Sequence, residues 1–97
     1  KLLHNAELFR KRLQAAGLNT GSSASQIVPV IVGENQAALS LAKRLREHRI
    51  LAVAIRPPTV PQGSARLRFS VTLAHTIQDL DRAAEIIIKE AGNEGLL

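Results

Sequence analysis

The sequence predicts an α+β fold, a two-layer sandwich in which a small, mostly antiparallel sheet of three strands carries helices on one face. Apolar residues recur at helical spacing in three stretches, and β-branched residues dominate the stretches between them. The resulting order of elements is α-β-α-β-β-α. With 97 residues, of which 45% are hydrophobic and 22% charged, the chain is expected to form a single domain over residues 1–97.

The predicted helices follow from apolar residues that recur every three or four positions. The first is expected to begin at Leu2 and to end near residue 16. Asn35 is expected to cap the second, and Thr76 or Asp79 the third, because short polar side chains accept hydrogen bonds from free N–H groups at a helix start. Residues 93–97, at the end of the last helix, are expected to fray. The apolar stripes are Leu2, Leu3, Ala6, Phe9 and Leu13; Ala38, Leu41, Ala42 and Leu45; and Ile77, Leu80, Ala84, Ile87 and Ile88.

The predicted strands are runs of residues that favour a pleated surface. Residues 27–32 are expected to form a strand with an edge or a bulge at Pro29, since proline removes one donor from a hydrogen-bond ladder. Residues 50–55 are expected to form the second strand, which two successive prolines stop. Residues 66–71 alternate polar and apolar side chains, so the two arginines of this third strand are expected to share one face.

The net charge of +5 and the pI near 10.8 suggest nucleic-acid binding, because Lys and Arg neutralise phosphates. The basic residues are nevertheless spread along the chain, and those on the polar face of the second helix, such as Arg44 and Arg49, are expected to be solvated. Phe9 and Phe69 are the only aromatic residues, whereas a platform for bases needs aromatic side chains between cations. No nucleic-acid partner is expected, and a basic stand-alone nucleic-acid-binding module is kept as the alternative.

Composition also limits the other kinds of site. The chain has no Cys, so it can form no disulfide framework, thiolate nucleophile or cysteine-based zinc site. His4 and His48 have no second ligand at metal spacing, and His75 is expected to be structural, so no metal site is predicted. The apolar runs are far shorter than the roughly 20 residues that span a bilayer, and no membrane partner is expected.

The first residues carry neither an initiator Met nor a hydrophobic signal core. The chain is therefore expected to be part of a larger protein, and a cytoplasmic setting is expected.

The segment from Arg56 to Arg68 is the most informative part of the sequence. Three prolines stiffen it, which reduces the entropy lost when the segment becomes ordered. The guanidinium groups of Arg56, Arg66 and Arg68 each offer a planar fork that binds a carboxylate through two parallel hydrogen bonds. From the residues alone, an anion clamp and an ordinary solvated turn both stay open.

A dense motif in this region resembles the C-terminal signature of the α-oxoamine synthases. Its residues are Arg56-Pro-Pro-Thr59-Val-Pro61, Gly63, Arg66-Leu-Arg68, Thr72 and His75. The run from Gln26 to Gly33 resembles the strand that opens the small domain of the same family. The Ile-Arg-Pro-Pro-Thr-Val-Pro form is more typical of the 7-keto-8-aminopelargonate synthases than of glycine C-acetyltransferase, which is kept as an alternative member.

The resemblance implies the small C-terminal domain of a fold-type-I enzyme that uses pyridoxal 5'-phosphate. A 7-keto-8-aminopelargonate synthase condenses L-alanine with the pimeloyl thioester of coenzyme A or of acyl carrier protein. The reaction includes decarboxylation and belongs to biotin biosynthesis. By resemblance, Arg68 is expected to bind the α-carboxylate of alanine and Arg56 the far carboxylate of the pimeloyl chain. Thr59 is expected to lie near the cofactor phosphate across the interface of a homodimer, and Arg66 is given a supporting role.

The resemblance also implies that this chain is inactive alone. In that family the lysine that forms the Schiff base with the cofactor lies upstream of the similar region, in a larger cofactor-binding domain. No catalytic residue is therefore expected among these 97 residues.

Overall fold

The computed structural model describes residues 2–21, 25–56, 59–72 and 74–97. Within these ranges the order of elements is α-β-α-β-β-α, as predicted, and no helix is both long and apolar enough to cross a membrane. Pro57 and Pro58, the two prolines expected to stop the second strand, lie outside the described residues. The elements are α1 (Leu2–Ala15), β1 (Ile27–Gly33), α2 (Asn35–Glu47), β2 (Val53–Ile55), β3 (Ala65–Ser70) and α3 (Ile77–Asn93).

The sheet is antiparallel throughout, with β3 in the centre and the strand order β1-β3-β2. Strand β1 is thus an edge strand, as Pro29 indicated, but the register shift lies between Ile31 and Gly33 and not at the proline. The N–H of Ile31 points away from β3 and donates to the Asn19 carbonyl at 2.8 Å. The nitrogen of Pro29, two residues earlier, lies on the same outer side, so the ladder to β3 loses no donor and needs no bulge there.

The hydrophobic core lies between one face of the sheet and the helical layer. Helices α1 and α2 pack on the sheet, and α3 packs on α1 and α2. Val28, Val30 and Leu67 supply fully buried side chains from the strands. The rings of Phe9 and Phe69 join α1 to β3 in an edge-to-face contact, with centroids 6.1 Å apart.

Each helix ends in the same hydrogen-bonded turn, in which two N–H groups beyond the helix bond back to its last carbonyls. The N–H groups of Leu18, Ile50 and Leu96 donate to the carbonyls of Leu13, Leu45 and Ala91, at 3.1, 2.9 and 2.9 Å. The expected end of α1 near residue 16 is confirmed. Helix α3 continues to Asn93, and this turn bonds the chain back to it as far as Leu96; the fraying of residues 93–97 stays a prediction.

Two predicted boundaries are also wrong. Asn35 is the first residue of α2 and does not cap it: the extended residue before it, Glu34, holds the cap position without a side-chain hydrogen bond. Strand β2 begins only at Val53, because Arg49 and Ile50 are used to close α2 and cannot enter the sheet.

The ends of the predicted apolar stripes are wrong as well. Leu3 is 58% exposed, because it lies beside the stripe that Leu2, Ala6, Phe9 and Leu13 form on α1. Ile77 is 50% exposed at the first position of α3. The cap of α3 is Thr76, as predicted. Asp79 completes a capping box with it, since each side chain accepts a hydrogen bond from the backbone N–H of the other residue at 3.0 Å.

Candidate functional site

The open face of the sheet, opposite the helices, carries two arginines between apolar neighbours. Ala65, Leu67 and Phe69 of β3 are buried in the core, so the alternate residues of this strand point the other way. The prediction that Arg66 and Arg68 share one face is therefore confirmed. Antiparallel partners share a face, which places Arg68 between Pro29 of β1 and Val53 of β2, and Arg66 between Ile31 and Ile55.

Arg66 and Arg68 differ in the hydrogen bonds that their side chains form within the chain. The Nε–H of Arg66 donates to the Ser64 carbonyl at 3.2 Å, and its side chain is half-buried. Arg68 is exposed, and its guanidinium forms no hydrogen bond or ion pair with any residue in the described ranges. All N–H groups of the Arg68 guanidinium are therefore available to a ligand. The apolar neighbours of Arg68 reduce competition from water for these groups.

The segment between β2 and β3 begins with Arg56 and contains Thr59, and both residues are exposed. The N–H of Thr59 donates to the Arg56 carbonyl at 3.1 Å. At its far end the N–H of Ser64 donates to the Pro61 carbonyl at 3.1 Å, and Gly63 takes the positive φ of 81° that this turn requires. The strand pairing brings Arg66 and Arg68 together and leaves Arg56 and Thr59 in the loop beyond the end of β2.

His75 lies in a tight turn directly after β3. Its Nδ1 accepts a hydrogen bond from the Thr72 N–H at 3.0 Å, while its own backbone N–H donates to the Thr72 carbonyl at 3.1 Å. The contacts assign His75 a local role in the turn before α3.

A groove of about 710 Å³ runs from Arg68 to the end of α2 and the start of α3. It brings together three further arginines, Arg46, Arg49 and Arg82, which the sequence analysis did not select as site residues. Arg82 is distant in sequence from Arg46 and Arg49, and the helical pattern indicated only that such side chains are solvated. One signal could have found Arg49: it stands where a helix closes, a position that favours Gly.

Pyridoxal phosphate is held by a lysine in the fold resembled here, so the three lysines within the described residues test the fit. Lys11, Lys43 and Lys89 are exposed on α1, α2 and α3, in the layer opposite the Arg68 face. They do not fit a Schiff base beside Arg68, whereas the free guanidinium of Arg68 and the exposed hydroxyl of Thr59 fit anionic groups. Over the described residues, no three His, Cys, Asp or Glu side chains group in a way that could hold a metal ion.

Comparisons with known proteins identify the family of this chain. The family model described as aminotransferase class I and II matches residues 1–87. A Bacillus cereus (strain Q1) protein named "Putative 8-amino-7-oxononanoate synthase" is 53% identical over 95 residues, which are 98% of this chain and 24% of that protein. One of the same name from Bacillus mycoides (strain KBAB4) is 50% identical over 97 residues, 100% of this chain and 25% of that protein. The chain thus spans about a quarter of the curated relatives that it matches.

Solved structures share the whole fold of this chain. Serine palmitoyltransferase from Sphingomonas wittichii matches with a TM-score of 0.91 at 23% identity, over 99% of this chain and 25% of that one. An 8-amino-7-oxononanoate synthase from Francisella tularensis matches with a TM-score of 0.78 at 29% identity, over 97% of this chain and 27% of that one. These neighbours are pyridoxal-phosphate enzymes of fold type I. The chain belongs to the aminotransferase class I and II family, and along its whole length it is similar to 8-amino-7-oxononanoate synthases.

Proposed function

We propose that this chain is the small C-terminal domain of a pyridoxal-phosphate-dependent C-acyltransferase of the 8-amino-7-oxononanoate synthase type. The complete enzyme condenses L-alanine with a pimeloyl thioester and releases carbon dioxide, in biotin biosynthesis. The observation that carries the proposal is Arg68, a free guanidinium on the open sheet face between Pro29 and Val53. Its surroundings suit a small carboxylate, and the similarity to relatives of that name supports the reaction.

The role of Arg68 is to bind and orient the amino-acid substrate. Its two parallel N–H groups bind the α-carboxylate of alanine, and this two-point contact fixes the direction of the bond that breaks when carbon dioxide leaves. The cofactor, when bound, supplies the electron sink for the resulting carbanion. Arg66 supports the site because its hydrogen bond to Ser64 ties the end of the loop to β3.

The loop residues complete this proposal. Thr59 contributes its hydroxyl to the cofactor phosphate across the interface of a homodimer, and Arg56 binds the far carboxylate of the pimeloyl chain. Both side chains are exposed, which leaves them accessible to such groups. The Schiff-base lysine comes from a larger domain, so this chain alone is inactive. The homodimer and a cytoplasmic setting are parts of the proposal that rest on the resemblance.

Absorbance of the complete protein tests the assignment. Bound pyridoxal phosphate should give a visible band that L-alanine changes, and Arg68→Ala should raise the alanine concentration for the half-maximal change by about tenfold or more. Ser70→Ala is the matched control, because Ser70 is exposed on the same face of β3 and offers no fork. This chain alone should give no such band.

Three results would separate the alternatives. A band that Arg68→Ala leaves as sensitive to alanine as before would remove Arg68 from substrate binding. A response to glycine and acetyl-CoA in place of alanine and pimeloyl thioester would identify glycine C-acetyltransferase. A complete protein without any band, but with affinity for RNA, would favour the basic binding module.

A further inference from the structure

The arginines of this domain fall into a paired and an unpaired set. Arg10, Arg12 and Arg44 each form an ion pair with at least one carboxylate. The side chains of Arg46 and Arg49 form neither a hydrogen bond nor an ion pair with any residue that the structure describes. Together with Arg68 they line one groove; Arg56 and Arg66 also have no acidic partner in the described ranges but do not line it.

Arg82 completes the unpaired set on the other wall of the groove. Asp79 is the acidic residue that lines this groove, and its carboxylate already accepts the Thr76 N–H in the capping box. The pKa of Asp79 is lowered mainly by these Thr76 hydrogen bonds and further by the charges of His75 and Arg82. Arg82 therefore influences Asp79 without forming an ion pair with it, and the groove keeps a clear excess of positive charge.

Arg49 occupies a conformation that side chains rarely adopt. The closing turns of α1 and α3 place Gly17 and Gly95 at positive φ, whereas the equivalent turn of α2 places Arg49 there, at φ 63°. Arg49 is the non-glycine residue with positive φ within the described ranges. A side chain kept at a position that strains the backbone indicates a use for that side chain, and here it lines the groove.

Exposed apolar side chains lie beside these cations. Leu51 is 81% exposed and Val53 is 51% exposed, and both line the same groove. Apolar side chains bordered by arginines are typical of a protein-protein interface, where Arg is enriched and Lys depleted. A small phosphate ligand would need the cations but not the adjacent apolar surface.

We propose, resting on the function proposed above, that Arg46, Arg49 and Arg82 together with Leu51 dock an acidic protein surface. That surface belongs to the carrier protein that holds the acyl group as a thioester. Its negative charges complement a groove wall whose arginines lack partners, and Leu51 contacts its apolar side chains. Because the groove continues to Arg68, a carrier docked there directs its thioester arm toward the carboxylate-binding face.

Steady-state kinetics of the complete enzyme test this docking surface. The variant Arg46→Ala/Arg49→Gly/Arg82→Ala is compared with wild type, using the pimeloyl thioesters of purified acyl carrier protein and of coenzyme A. We expect the KM for the carrier-protein thioester to rise about tenfold or more at low salt, with a weaker salt dependence. The KM for the coenzyme A thioester should rise by a clearly smaller factor.

The control Lys11→Ala/Lys43→Ala/Lys89→Ala removes the same charge from exposed positions outside the groove and should leave both KM values unchanged. Arg49→Gly alone should raise the carrier KM severalfold and keep or raise Tm, since Gly suits this turn. A loss of docking without a loss of stability distinguishes a binding role from a structural one.

The outcomes that overturn the inference are distinct. An equal rise in KM for both thioesters would indicate that the groove is a phosphate site for coenzyme A and not a docking surface for the carrier protein. An unchanged carrier KM combined with a lower Tm would mean that the rest of the enzyme covers these arginines. An equal effect of the lysine control would reduce the effect to bulk charge. If wild type uses neither thioester, the proposed function fails instead, and calorimetric titration with the purified carrier protein then decides the docking directly: no binding overturns it.

Discussion

Two charged regions of this small domain use the same residue type in opposite ways. Between α2 and α3, charges are paired: buried Glu90 accepts hydrogen bonds from Asn93 at 3.3 Å and Arg44 at 3.4 Å, and it pairs with His48 at 3.1 Å. Glu94 joins them by bonding Arg44 at 2.6 Å. On the groove and the open sheet face, the arginines have no acidic partner in the described ranges.

This difference separates the charged residues that stabilise the fold from those that are available for binding. In the paired region Arg44 and His48 of α2 bind acids of α3, so removal of one partner takes away hydrogen bonds to a half-buried or buried carboxylate. In the unpaired region removal of Arg46, Arg49, Arg68 or Arg82 takes away a repulsive charge and no side-chain hydrogen bond or ion pair within the described ranges. Arg66 is the exception, because it donates to the Ser64 carbonyl. Mutations in the first region should therefore lower stability, and mutations in the second should change binding.

Glu90→Gln should destabilise the paired region more than any other variant proposed here. The change removes the acceptor charge shared by Arg44, His48 and Asn93, so Tm should fall by several degrees, the largest stability effect predicted here. Thermal unfolding monitored by circular dichroism measures it. Glu47→Gln is the control, because Glu47 is exposed on α2. If both variants melt together, the network does not hold α2 to α3.

The same glutamate should give the domain an acid-sensitive component of stability. Hydrogen bonds from Asn93 and His48 lower the pKa of Glu90 below its ordinary value of 4.5, so the folded state binds this proton more weakly than the unfolded state. The stabilisation is complete above pH 4.5 and is lost as the pH falls through the lowered pKa. The difference in Tm between wild type and Glu90→Gln should thus shrink on acidification, and a constant difference would contradict it.

The cap at the groove edge should have an intermediate effect. Thr76→Ala removes the side chain that accepts the Asp79 N–H at the start of α3, and it should lower the free energy of unfolding by about 1 kcal/mol. Urea unfolding of wild type and variant measures the change. Thr76→Ser keeps the hydroxyl and should restore most of it, and equal losses in both variants would show that the cap bond is not responsible.

The smallest predicted change is an increase in the free energy of unfolding. Arg49→Gly relieves a side chain from positive φ, so it should raise the free energy of unfolding by about 1 kcal/mol or less. The same urea experiment compares it with Arg49→Ala, which removes the charge but keeps the strain. A decrease for Arg49→Gly alone would mean that Arg49 makes a stabilising contact.

Local sequence patterns predicted the helices and strands, and they predicted which face of the sheet carries Arg68. The alternation from Arg66 to Phe69 has a period of two residues, so the side of the sheet that Arg68 occupies followed from the sequence. The lengths of the elements did not. Residues 50–52 look like a strand by composition, yet the backbone bond from Ile50 to Leu45 uses Ile50 to close α2, and β2 begins only at Val53.

The groove could not be predicted because it depends on tertiary placement. It joins the end of α2, the start of β2, the end of β3 and the start of α3, and a charge pattern along the chain does not show which of these arginines meets an acid. Arg44 and Arg46 are two residues apart on α2, yet the first faces Glu90 and Glu94 while the second lines the groove. The roles of Arg56, Thr59, Arg66 and Arg68 stay predictions.

One crossed measurement tests the separation between the two regions and the assignment of Arg68. Arg68→Ala and Arg44→Ala are made in the complete protein, and Tm and the alanine-dependent change in cofactor absorbance are measured for each. Arg68→Ala should weaken the alanine response by about tenfold or more with Tm shifted by about 1 °C or less. Arg44→Ala should lower Tm and leave the alanine response within about twofold of wild type. A drop in Tm for Arg68→Ala with an intact alanine response would contradict the account.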